Sequence, residues 1–85
     1  MVDFFATWCG PCKALIPVLE SLSTEVEGVE IVKMDVDENR EKAQEFGVRS
    51  VPTVILFEGN KVVNRTTGAS SKAFFQNLIT ESYNL

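Results

Sequence analysis

Trp8-Cys9-Gly10-Pro11-Cys12 places two thiols two residues apart near the start of the chain, and no other cysteine occurs among its 85 residues. A crosslink across so short a loop removes little chain entropy. The loop-length formula gives about 2 kcal/mol, against about 5 kcal/mol for a hundred-residue loop. The pair therefore predicts a disulfide that is made and broken in redox chemistry, not a structural crosslink.

The segments on either side of the cysteine pair predict a strand and a helix. Val2–Ala6 is a short apolar run, long enough for a strand and too short for a helix. From Pro11 onward apolar residues recur at helical spacing, and the first turn of a helix tolerates a proline. Cys9 is thus expected at a helix N-terminus. Pro17 should kink this helix without ending it, and Gly28 should mark its end.

Strands and helices continue to alternate along the rest of the chain. Val29–Val36 predicts a second strand, and Asn39–Phe46 predicts a short helix. Thr53–Phe57 and Lys61–Thr66 are β-rich runs joined by a glycine-containing turn, which favours a hairpin. Ser71 or its neighbour should cap a final helix. The expected buried side chains of that helix are Phe74, Phe75, Leu78 and Ile79.

This order of elements, β-α-β-α-β-β-α, predicts an α/β fold in one domain over residues 1–85. We expect a mixed four-stranded sheet with helices on both faces and with its first two strands parallel. A right-handed crossover places the Cys9 loop at the carboxyl end of the first strand. Open α/β sheets usually present their functional sites at that edge.

Composition and charge make several functions unexpected. Eight basic and twelve acidic residues give a net charge of −4 without a basic cluster, so nucleic acid is not an expected partner. No apolar run is long enough to span a membrane and no targeting signal follows Met1, which predicts a cytoplasmic protein. Zinc needs four ligands, and the chain has no histidine and no third cysteine. No metal site is therefore expected, unless two chains share one.

Four blocks of the sequence resemble the thioredoxin family. They are Val2-Asp3-Phe4-Phe5-Ala6, Trp8-Cys9-Gly10-Pro11-Cys12-Lys13, Val51-Pro52-Thr53 and Thr67-Gly68-Ala69. Thioredoxins usually begin with a further strand and helix, which this chain is expected to lack, and Phe5 stands where tryptophan is common. The resemblance implies a protein-disulfide reductase without a bound cofactor. Its electrons would come from a thioredoxin reductase, dependent on NADPH or ferredoxin, and would pass to disulfide-containing proteins.

The catalytic residues are expected to be Cys9, Cys12, Asp3 and Lys33. A helix N-terminus stabilises a thiolate, so Cys9 should attack a substrate disulfide and Cys12 should resolve the mixed disulfide. The resemblance implies that Asp3 transfers protons for Cys12, with Lys33 nearby. An aspartate desolvated in an apolar strand holds its proton more tightly. The alternatives are that Asp3 is simply solvated near the N-terminus and that Lys33 only reaches the surface.

The resemblance also implies a docking surface for substrates beside the cysteines. Its expected residues are Trp8, Gly10, Pro11, Val51, Pro52, Gly68 and Ala69. A cis Val51-Pro52 peptide would leave backbone groups of Val51 free to pair with a substrate strand. An ordinary proline at the start of a strand fits the local spacing equally well.

Two further expectations concern partners. A thioredoxin-like binding module or subunit with incidental thiols is the alternative to an enzyme. In a chain without an outer first strand, Val29–Val36 would lie at the edge of the sheet, which predicts a monomer or a weak dimer through that strand. Lys33 and Asp35 would discourage such pairing only weakly.

Overall fold

All the predicted strands and helices occur, in the predicted order, in the computed structural model, which describes residues 1–83. They are β1 (Val2–Phe5), α1 (Gly10–Glu25), β2 (Val32–Asp35), α2 (Arg40–Glu45), β3 (Thr53–Glu58), β4 (Lys61–Thr67) and α3 (Lys72–Tyr83). The strands form one four-stranded sheet in the order β2-β1-β3-β4. The predicted α/β fold class is thereby confirmed.

The sheet is mixed because its strands are connected in two ways. β1 is parallel to β2, which it reaches through α1, and antiparallel to β3. β3 and β4 form the predicted hairpin, in which Glu58 pairs with Lys61 across a two-residue turn. Gly59 in that turn has φ +64°, a conformation that residues with a side chain rarely adopt. Because β1 lies between β2 and β3, the loop that follows β1 and carries the cysteine pair leaves the sheet from an interior strand.

The main core lies between the sheet and the helices α1 and α3. Its most buried members are Leu15, Leu19, Leu22, Val54, Leu56, Phe75 and Ile79. Along β3 these side chains alternate with others that point to the opposite face, where Phe46 at the end of α2 contacts the rings of Phe4 and Phe57. Helices thus cover both faces of the sheet, as predicted.

Helix α1 runs through Pro17 as predicted, but two predicted boundaries are wrong. The helix ends at Glu25, before Gly28, because Val26 already has extended backbone angles. β2 begins at Val32 and not at Val29. Val29 and Ile31 pack their side chains against the main core without joining the β ladder. Their apolar character was therefore read as part of the strand.

Two side chains of the later helices also differ from expectation. Phe74 is 41% exposed, because Phe75 and Ile79 form the buried side of α3 and Phe74 lies about 100° around the helix from Phe75. Asn39 stands at the N-cap of α2, but its amide donates to Asp35 O at 2.9 Å and makes no cap hydrogen bond. Ser71 does cap α3, since its hydroxyl accepts from Phe74 N at 3.2 Å.

Candidate active site

Cys9 is the N-cap residue of α1. Its backbone is extended, and its Sγ accepts a hydrogen bond from Cys12 N at 3.1 Å. N–H groups in the first turn of a helix lack partners within the helix, and the helix dipole favours negative charge at this end. The site therefore offers a donor and a favourable dipole to a thiolate on Cys9.

Cys9 and Cys12 form a disulfide, with their Cα atoms 5.3 Å apart. Cys9 is 4% exposed and Cys12 1%, and both pack with Ala6 in a small apolar cluster. Both cysteines are thus almost completely buried in this disulfide form, whereas the attack expected of Cys9 needs an accessible sulfur. Cys9 keeps the larger exposed fraction of the two, as suits the residue expected to meet a substrate.

The loop before β3 approaches the disulfide. Val51 O lies 3.7 Å from Cys9 Sγ, and the Val51-Pro52 peptide is cis, as the resemblance implied. Pro52 is buried, and its carbonyl accepts from Gly68 N at 2.8 Å. This hydrogen bond connects the exposed Gly68-Ala69 segment to the loop before β3, which contains Pro52 and is called the proline loop. Backbone from two distant parts of the chain thus meets beside Cys9.

Trp8 projects from the same edge of the sheet and is 71% exposed. Its indole Nε1 donates to Asp37 Oδ2 at 3.0 Å. The ring borders a small cavity of about 140 Å³, lined also by Val36, Val48, Arg49, Ser50 and Val51. Asp37 is not among the site residues predicted from the sequence. Its place just after β2, at the carboxyl edge of the sheet, was the signal that could have assigned it to the site.

If Trp8 belongs to the docking surface that the resemblance implied, replacing Asp37 with alanine should free its indole and weaken substrate binding. A single exposed hydrogen bond of this kind contributes about 1 kcal/mol, so we expect KM for a protein disulfide to rise about fivefold with kcat nearly unchanged. Fluorescence of the chain's single tryptophan reports the freed ring directly. Asp37→Asn keeps an acceptor oxygen and should stay close to wild type. An equal loss in both variants would show that the charge matters and not the hydrogen bond.

Asp3 lies in the middle of the sheet, on β1. Its side chain is completely buried, and neither carboxylate oxygen has a hydrogen-bond partner among the described residues. Burial raises the pKa of Asp3 from 3.8 to about 6, and the nearby charge of Lys33 offsets only part of that rise. Lys33, its neighbour across the ladder on β2, is exposed. The solvated alternative for Asp3 is therefore wrong, whereas Lys33 does extend to the surface.

The other predicted site residues are exposed, and together with Trp8, Val51 and Pro52 they are the rim residues. Gly10 and Pro11 form the exposed first turn of α1, and Gly68 and Ala69 are exposed after β4. Across residues 1–83, no group of three or more histidine, cysteine, aspartate or glutamate side chains is placed to hold a metal ion. Nor is any helix in this part of the chain long and apolar enough to cross a membrane.

Comparison with known proteins gives consistent results. A family model for thioredoxin matches residues 1–81. A thioredoxin of Chlamydia muridarum is 49% identical over 81 residues, which are 95% of this chain and 79% of that protein. The bifunctional thioredoxin reductase/thioredoxin of Mycobacterium leprae is 53% identical over 74 residues, 86% of this chain and 16% of that protein. A solved mutant thioredoxin from Halobacterium salinarum NRC-1 superposes with a TM-score of 0.91 at 39% identity, covering 99% of this chain and 74% of that one.

A Cys-x-x-Cys disulfide at the N-terminus of the first helix, on a sheet of this topology, defines a thiol-disulfide oxidoreductase. Since the family model spans nearly the whole chain and the Chlamydia relative is almost half identical, the chain belongs to the thioredoxin family. It is a protein-disulfide reductase. This assignment favours the enzyme over a binding module with incidental thiols.

Proposed function

We propose that Cys9 is the attacking residue and Cys12 the resolving residue of this reductase. The Cys9 thiolate attacks one sulfur of a substrate disulfide, and the other substrate sulfur leaves as a thiolate. Cys12 then attacks Cys9 Sγ, which releases the second substrate sulfur and forms the Cys9-Cys12 disulfide. Two electrons pass to the substrate. The hydrogen bond from Cys12 N to Cys9 Sγ, 3.1 Å long, carries this assignment.

Asp3 is proposed to accept the proton that Cys12 must lose before it attacks. A carboxyl group with a pKa of about 6 is mostly ionised at neutral pH, and it binds a proton more strongly than an ordinary aspartate does. Neither oxygen of Asp3 has a hydrogen-bond partner within residues 1–83, which supports a role as proton acceptor. Lys33, opposite Asp3 in the ladder, is proposed to favour the ionised form.

The rim residues are proposed to dock the substrate chain. Val51 O lies 3.7 Å from Cys9 Sγ, which supports pairing of the Val51 backbone with an extended substrate segment. The Trp8 indole supplies an exposed apolar surface next to it. Completing the surface are Gly10, Pro11, Pro52, Gly68 and Ala69.

We further propose that electrons come from a thioredoxin reductase, dependent on NADPH or ferredoxin, and that the chain itself binds no cofactor. The Mycobacterium leprae relative joins both activities in one polypeptide, which supports such a partner. The substrates of this chain would be disulfide-containing proteins of the cytoplasm. It would carry electrons to them in redox homeostasis. We propose that residues 1–85 form a single domain that acts as a monomer or as a weak dimer through β2.

Insulin reduction driven by dithiothreitol tests the proposed direction of electron flow. The wild-type chain should accelerate precipitation of the insulin B chain, and the Cys9/Cys12 couple should equilibrate with glutathione at a potential low enough to reduce substrates. A chain that exchanges with glutathione but leaves insulin intact would contradict reductase activity toward proteins. Such a result would favour the binding module.

A further inference from the structure

Arg65 is a side chain of the sheet that makes hydrogen bonds to the end of a helix. It lies on β4 opposite Ile55, whose side chain is buried on the face of the sheet that α2 covers. Arg65 Nη1 donates to Phe46 O at 2.6 Å, and Nη2 donates to Gly47 O at 3.4 Å. Donors on a charged guanidinium make stronger hydrogen bonds than neutral donors do. Arg65 therefore connects β4 to the point where α2 ends and the proline loop begins.

α2 ends in a Schellman motif, the common turn in which a glycine closes a helix. Gly47 has φ +67°, and its N–H donates to Gln44 O at 3.1 Å. Val48 N donates to Ala43 O at 2.8 Å. These hydrogen bonds use neither of the carbonyls that the guanidinium contacts. Arg65 therefore supplies donors that the motif itself does not, and it restrains the direction in which the chain leaves the helix.

The far end of the proline loop is connected to the end of the same strand. Gly68, which directly follows β4, donates its N–H to Pro52 O at 2.8 Å. Arg65 thus holds the loop where it begins, and Gly68 holds it where it meets β3. Val51 O, which lies 3.7 Å from Cys9 Sγ, is between these two attachments.

We propose that Arg65 is a positioning residue for the proline loop, because it keeps the start of the loop in place so that Val51 O lies beside Cys9. The consequence for substrates rests on the proposed docking at Val51. Without the guanidinium, an extended substrate segment would have to order the loop as it binds, and that ordering reduces affinity. Both side-chain hydrogen bonds that Arg65 makes within residues 1–83 go to the end of α2, so the cysteine chemistry itself should not change.

The effect of losing Arg65 should therefore depend on the kind of disulfide that is reduced. A protein disulfide offers backbone groups that pair with the loop, so its binding should need the loop in place. Hydroxyethyl disulfide has no peptide groups, and its reaction should need only the sulfur of Cys9. Arg65 is thus expected to matter for protein substrates and not for small disulfides.

Arg65→Met tests this role, because methionine keeps an unbranched side chain and removes every charged donor. We expect KM for insulin to rise about fivefold with kcat nearly unchanged. The rate at which hydroxyethyl disulfide oxidises the reduced protein should stay at the wild-type value. Arg65→Lys keeps a charged donor and should recover most of the affinity for insulin. Lys61→Met is the matched control, since it removes an exposed cation from the other end of β4 and should leave KM unchanged.

Amide chemical shifts of Val48 and Val51 separate this inference from the proposed docking. Shifts and a KM for insulin that both match the wild type in Arg65→Met would show that Arg65 does not position the loop. Equal losses with insulin and with hydroxyethyl disulfide would indicate general damage to the site and would also overturn the proposal. If the shifts changed while KM stayed the same, the positioning role would stand and the docking at Val51 would be wrong.

Discussion

Cys9→Ser should reduce the insulin reductase activity to the background rate of dithiothreitol, a loss of at least about a thousandfold. Cys9 is the N-cap residue whose sulfur accepts from Cys12 N, and it retains the larger exposure of the pair. Cys12 is 1% exposed and lies within the helix, so it cannot replace Cys9 in meeting a substrate. Initial rates of insulin reduction, measured at equal protein concentration, compare Cys9→Ser with the wild type.

Cys12→Ser is the matched variant, and we expect it to lose activity at a later step of the reaction. It keeps the attacking sulfur but lacks the resolving one, so the first step should proceed and stop at the mixed disulfide. Mass spectrometry after incubation with insulin should then show a covalent adduct for Cys12→Ser and none for Cys9→Ser. Adducts of the opposite pattern would show that the roles of the two cysteines are reversed.

Compared with the wild type, Asp3→Asn should gain free energy of unfolding in the disulfide form as the pH rises from acid to neutral. The raised pKa means that the folded protein binds the Asp3 proton more tightly than the unfolded chain does. Unfolding becomes easier as pH rises from about 4 to about 6, because only the unfolded chain ionises freely there. The shift from 3.8 to about 6 corresponds to about 3 kcal/mol. Asparagine removes this dependence, so the variant should gain about that much on the wild type between pH 4 and pH 7.

Urea unfolding at a series of pH values measures this gain. Glu20→Gln removes a carboxylate from the exposed side of α1 and is the control for a general change in net charge. Its stability should follow that of the wild type across the series. If Asp3→Asn kept the wild-type dependence on pH, then another group would be responsible and Asp3 would be unsuited to its proposed role as a base.

Local patterns predicted most of the fold and the centre of the site. Pro11 after Cys9 was enough to predict a helix N-terminus, and Gly59 in a polar turn was enough for the hairpin. Adjacent apolar residues were harder, because Phe74 and Phe75 both fit a helical stripe and only packing decides between them. The helical spacing of apolar residues does not indicate which of two adjacent phenylalanines faces the sheet.

Contacts between distant residues could not be predicted from spacing. Trp8 and Asp37 are 29 residues apart, and their hydrogen bond exists only because the ends of β1 and β2 lie side by side. The same holds for Arg65, whose guanidinium donates to Phe46 O at 2.6 Å at the end of α2. The burial of Asp3 depended likewise on what the sheet and α1 place over β1, which the sequence alone left open between two alternatives.

The contact between Val51 O and Cys9 Sγ has a consequence for how selective the protein is. The atom that faces the sulfur from the proline loop belongs to the main chain, and the neighbouring segment is held by another main-chain bond, from Gly68 N to Pro52 O. Every polypeptide offers the same amides and carbonyls to such a surface. If substrates dock on this surface as proposed, selectivity among them should depend on whether a disulfide lies in an extended, accessible segment, and little on which side chains surround it.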